Sequence, residues 1–117
     1  MANFKSAVLT TGSYTKVGTA EVELIAPVNV SNDDRLTFQI YNTDAAADTV
    51  KVYGRLGTTS GTLASANEWT QIGDDITVSG TASVLKSIAT TGLNWVGVTI
   101  TPGAASDGAT YSMLQQA

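Results

Sequence analysis

The run Leu36-Thr37-Phe38-Gln39-Ile40-Tyr41-Asn42 decides the fold class. Leu36, Phe38 and Ile40 alternate strictly with Thr37, Gln39 and Tyr41. Successive side chains of an extended chain point to opposite sides, so such a run buries one face and keeps the other outside. The same period recurs on either side of it. Val50 and Val52 oppose Lys51, Tyr53 and Arg55, and Val96, Val98 and Ile100 oppose Trp95, Gly97, Thr99 and Thr101. Ala20, Val22, Leu24 and Ala26 alternate with Glu21, Glu23 and Ile25, after which Pro27 ends the strand or confines it to a sheet edge. Shorter strand signals lie at residues 68–73, 76–78, 83–88 and 109–114, the last with Tyr111 and Met113 on one face and Ser112 and Leu114 on the other. Turns rich in Gly, Asn, Asp and Ser separate these runs, and residues 57–67 read as a longer exposed loop. Gly97 inside its strand marks a bulge or a close approach of another group. No segment carries a helical period. Seven or eight short strands at this spacing predict an all-β chain, a single antiparallel β-sandwich or jelly-roll-like domain at residues 16–117. Residues 1–15 stand apart as an N-terminal arm, with Phe4, Val8, Leu9 and Tyr14 as its apolar anchors among small polar residues.

The chain has 117 residues, the length of one domain. It contains neither Cys nor His, which removes disulfides, the usual zinc sites and nucleophile–His dyads together. Six basic against ten acidic residues give a formal charge of −4, a poor match for a phosphate backbone. Nucleic acid is therefore not an expected partner. Only 14% of residues are charged, so Ser, Thr, Asn and Gln supply most of the polar surface. No apolar run has the length that spans a bilayer, and the first residues lack a basic stretch followed by an apolar one. Neither a membrane anchor nor a secretion signal is expected.

Candidate chemistry is sparse. Asp74 and Asp75, with Asp33 and Asp34, are carboxylates of the kind calcium uses, but their spacing fits no calcium loop and turn capping accounts for them. Gly57 and Gly61 lack the Lys and following helix of a phosphate-binding loop. Glu21 and Glu23 read as a solvated strand face, as do Lys51 and Arg55. The sequence thus predicts no catalytic residue, no cofactor and no metal, and the chain is expected not to be an enzyme. Tyr41, Tyr53 and Trp95 fall on outward positions of their strands and together suggest an aromatic surface, suited to sugar stacking or protein contact. The alternative is that the tryptophans plug the sandwich.

In its small size, acidity, lack of Cys and His, apolar-anchored arm, and closing stretch Gly92-Leu93-Asn94-Trp95-Val96-Gly97-Val98-Thr99 before a Gly/Ala/Ser loop, the chain resembles the small structural proteins of tailed bacteriophages. Among these it is most similar to capsid decoration, or cement, proteins. The resemblance implies a non-enzymatic virion protein, made in the host cytoplasm and seated on the outer capsid surface. Its expected partner is the major capsid protein, whose subunits it would bridge to stabilise the head. It also implies a homo-oligomer, a trimer or else a dimer, with Phe4, Val8, Leu9 and Tyr14 making the arm's contacts. A carbohydrate-binding or host-attachment module and a tail or baseplate protein are the alternatives.

Overall fold

The computed structural model of the chain describes residues 7–15, 18–61, 63, 68–104 and 108–116. These hold nine strands: β1 (Ala7–Thr15), β2 (Val22–Asn29), β3 (Arg35–Asn42), β4 (Asp48–Arg55), β5 (Thr70–Gln71), β6 (Ile76–Val78), β7 (Ser83–Ala89), β8 (Trp95–Thr101) and β9 (Gly108–Gln116). One sheet runs β1-β9-β3-β7 and the other β2-β8-β4-β5, with β6 also on β4. Every pairing is antiparallel, and the two sheets pack together as the expected β-sandwich.

The pairing is nested. β4 pairs with β5 and β6, β3 with β7, β2 with β8 and β1 with β9, so all these ladders are centred on the loop between β4 and β5. The chain is one long hairpin, rolled so that β3 also meets β9 and β4 also meets β8. This is the jelly-roll arrangement. Its interior is filled by the alternating sets legible in the sequence: Leu36, Phe38 and Ile40 from β3, Val50 and Val52 from β4, Val96, Val98 and Ile100 from β8, and Met113 from β9. Full burial of each such side chain contributes roughly 1.5–3 kcal/mol.

Two strands depart from strict alternation. In β2 the register against β8 shifts between Glu23 and Ile25 and again between Ile25 and Val28. Leu24 and Ile25 are consequently both buried, and Ala26, expected on the same face as Leu24, is exposed. Pro27 lies inside the strand, tolerated because β2 is a sheet edge. The strand expected at residues 68–73 is only Thr70–Gln71, since β5 and β6 are one edge strand broken by a bulge. Within the bulge the Ile72 amide still donates to the Val52 carbonyl, at 2.7 Å. Ile72 Cδ1 fills the space where a Cβ on Gly54 would sit, 2.6 Å away.

Candidate functional site

The two sheets present very different outer faces. That of the β2-β8-β4-β5 sheet is covered by the chain's own loop. Arg55 on β4 lies directly opposite Trp95 on β8 and shares its face, and Trp69, immediately before β5, lies under the Arg55 side chain. The Arg55 guanidinium sits 5.6 Å from the centre of the Trp69 ring. Arg55 Nη1 donates to the Ser60 carbonyl at 2.9 Å, and Nη2 meets Glu68 Oε2 at 2.7 Å. Trp95 Nε1 donates to the Gly57 carbonyl at 3.1 Å, while the Gly57 amide donates to Asn94 Oδ1 at 2.7 Å. Leu63 lies over Gly97, where a Cβ would stand 2.9 Å from Leu63 Cδ2. The glycine is thus a close-approach position, one of the two readings its sequence context allowed.

Beside this layer, Glu21 Oε2 accepts from the Tyr53 hydroxyl at 2.8 Å and from Thr99 Oγ1 at 2.7 Å. Tyr53 is only 5% exposed. Burial, reinforced by the Glu21 carboxylate, pushes its phenol up to about 12. Glu21 is therefore a bonded acceptor and not just part of a solvated face, and Arg55 is pinned to the loop.

The aromatic surface does not form. Tyr53 is buried, Trp95 is half-buried on the covered sheet, and Tyr41 projects from β3 on the opposite sheet. Tyr53 and Trp95 do occupy outward strand positions, as their alternation implied, but the bonds that tie Trp95 to the β4–β5 loop and Tyr53 to Glu21 were not visible in local pattern.

The outer face of the β1-β9-β3-β7 sheet is open. Register places Leu9, Thr11, Ser13, Thr110, Ser112, Leu114, Arg35, Thr37, Gln39, Tyr41, Ser83, Leu85 and Ser87 on it. Leu9 and Leu85 are each 66% exposed and Tyr41 is 42% exposed. A shallow depression of about 120 Å³ lies between Leu9, Leu85 and Leu114, and one of about 320 Å³ lies beside Tyr41. Arg35 is the face's single charge among the described residues, and it donates along the surface to Ser87 Oγ at 2.9 Å. Lys86, the charged residue of β7, sits opposite buried Phe38, on the inward side of the edge strand by register, and is itself exposed there. Few ionic groups and two exposed leucines make a face suited to a broad protein contact.

Of the expected arm, Phe4 lies outside the described residues, as does the side chain of Val8. Residues 7–15 are β1, paired residue for residue with β9 of the same chain. Leu9 faces out on the open sheet, and Tyr14 packs half-buried against the core. Asp33 and Asp34 flank the β2–β3 turn, where Asp33 Oδ2 accepts from Gln115 Nε2 at 2.9 Å. Asp75 Oδ1 accepts from Gln71 Nε2 at 2.7 Å. Among the described residues no three His, Cys, Asp or Glu side chains are grouped as metal ligands, and no helix is long and apolar enough to cross a membrane.

No protein-family model matches the sequence, and no curated protein is similar to it in sequence. Solved structures do share its fold. The chain is similar to the SPBc2 prophage-derived protein YomS, with a TM-score of 0.56 at 12% identity over 100% of both chains. It is also similar to a chain of the Bacillus endospore appendages, a family of disulfide-linked pili, with a TM-score of 0.53 at 17% identity over 97% of this chain and 89% of that one.

Proposed function

We propose that this chain is a non-enzymatic structural subunit of a virion or related extracellular assembly, and more narrowly a bacteriophage decoration protein that bridges major capsid protein subunits on the outer head surface. The observation that carries the reading is the outer face of the β1-β9-β3-β7 sheet, broad and almost uncharged in a chain of net charge −4. Leucines exposed to 66% on such a face lose water favourably when a partner covers them. The scarcity of charge lets it meet a large protein surface without ionic desolvation. Homo-oligomers of the chain would gather several such faces on one shell. The fold likeness to a prophage-derived protein and to pilus subunits is compatible with assembly work. The disulfide linkage named for the pili is not open to these 117 residues, which contain no Cys.

Labelled chain would be sedimented with capsids of the phage that encodes it, stripped of the native copy. Saturable cosedimentation that Leu9→Glu and Leu85→Glu abolish, with unchanged melting temperature, supports the reading. Absence of cosedimentation, or binding indifferent to both substitutions, overturns it. Point substitutions are preferable to deleting residues 1–15, since losing β1 would bare the edge of β9.

A further inference from the structure

A cleft of about 370 Å³ opens between the two sheets along the edge formed by β7 on one and the β5–β6 bulge on the other. Its floor is apolar, made by Ile72 and Ile76 on the bulge side and Val84 and Ile88 on β7, all half-buried against the core. The rims carry opposite charges. Asp74 and Asp75 stand on the bulge and Lys86 on β7, all three exposed. Asp75 accepts from Gln71, but among the described residues no ion pair or side-chain hydrogen bond takes up Asp74 or Lys86, so the rims do not close on each other. An apolar cavity of about 150 Å³ already admits benzene, so this cleft has room for an aromatic side chain. Two carboxylates against one ammonium favour a cation beside that ring.

Residues 1–6, which lie outside the described residues, meet both requirements with Phe4 next to Lys5. Residues 1–16 hold two of the chain's six bases and none of its ten acids, so the rest of the chain carries four bases against ten acids. We infer that Phe4 enters this cleft on a second copy of the chain, with Lys5 at the rim formed by Asp74 and Asp75. A copy's own cleft is out of reach. Ala7, Gln116, Arg35 and Ala89 form one row across the sheet, which puts the start of β1 three strand spacings, about 14 Å, from β7. Phe4 precedes Ala7 by three residues, which span at most about 11 Å, and the chain would still have to turn round β7 into the gap. Successive side chains of an extended segment point opposite ways, so Phe4 can enter while the Lys5 ammonium stays at the rim. Lys86 lies on the facing wall, where the two carboxylates outweigh it. The contact is heterologous, one copy's β1 end against another's β7 edge, and it builds a ring or a filament. The inference rests on the assembly reading and deepens it by naming the contact that joins copies.

Light scattering of the full chain at rising concentration is expected to exceed the 12.1 kDa chain mass, and Phe4→Ala or Lys5→Glu is expected to return it to 12.1 kDa with unchanged circular dichroism. Asp74→Lys should do the same, and combining it with Lys5→Glu should restore assembly, since the ion pair is then made in the opposite sense. Because the chain has no Cys, single-cysteine variants give a second readout. When Lys5→Cys protein is mixed with Asp74→Cys protein and mildly oxidised, dimers linked between these two positions should form. The same mixture made with Asp34→Cys, near the β1 end of the sheet, should not link. This pairing remains informative should a charge variant fail to fold. A monomer at all concentrations, linkage to Asp34→Cys in place of Asp74→Cys, or a Lys5→Glu defect that Asp74→Lys does not rescue, overturns the inference. An oligomer joined this way that does not sediment with capsids would instead overturn the decoration reading alone, and a monomer that does sediment would overturn this one alone.

Discussion

The Arg55 guanidinium lies over Trp69, 5.6 Å from the ring centre, and donates to the Ser60 carbonyl, which binds the β4–β5 loop to the sheet it leaves. The stack is worth about 0.5–2 kcal/mol and the bond to Ser60 about 1 kcal/mol. The ion pair adds little, because Glu68 is 71% exposed. Arg55→Ala should therefore cost roughly 2 kcal/mol in denaturant unfolding and shift Trp fluorescence to the red as Trp69 gains water. Arg55→Lys should recover little, since an ammonium neither stacks nor reaches two acceptors in one plane. An unshifted spectrum in Arg55→Ala would contradict the assigned role.

Tyr53 makes the fold sensitive to alkali. Its phenol ionises near 10 when unfolded and is pushed up to about 12 when folded, by burial first and by Glu21 second. Between these values the unfolded chain has released a proton that the folded chain keeps, so stability falls as pH rises from about 10 to 12. The contribution is fully present below pH 10 and is on the order of 2 kcal/mol. In Tyr53→Phe this fall should vanish, while neutral-pH stability drops by about 1 kcal/mol for the lost bond to Glu21. Melting curves of both proteins across that pH range check the sign. Parallel curves would show that Tyr53 is not the group responsible.

Gly97 separates loop docking from sandwich folding. It sits mid-strand in β8, and a side chain there strikes Leu63 and not the core. Gly97→Val should leave the sandwich folded, with a cost of about 1–3 kcal/mol from displaced packing. The loop should then lift, and trypsin should cut after Arg55 much faster than in the wild type. Global unfolding of this variant would mean that the loop is part of the cooperative core.

These sites also mark how far local sequence could be read. Phe38 and Val98 needed only their neighbours, because a strand buried on one face announces itself by period two. The failures involve partners distant in sequence. Ala26 came out on the wrong face because the bulges in β2 are set by pairing with β8, not by β2 itself. Tyr53 was placed on the correct side of its strand, yet its hydroxyl is held by Glu21, which is 32 residues away. The open face could not be found from any single strand, since Leu9, Leu85 and Leu114 become neighbours only when β1, β9, β3 and β7 align. The segment set apart as an arm looked detached for a related reason. Its partner, β9, lies at the other end of the chain.

That nested order predicts how the molecule opens. The β1–β9 ladder joins the chain's two extremities, and β1 is held along one side only. Interior strands β8, β4, β3 and β9 are paired on both sides. In dilute solution the β1 amides should exchange with deuterium earliest among the strands and those of β3, β4 and β8 latest, near the global unfolding rate. Exchange in β1 that is as slow as in β8 at every dilution would show instead that this edge is stabilised within one chain.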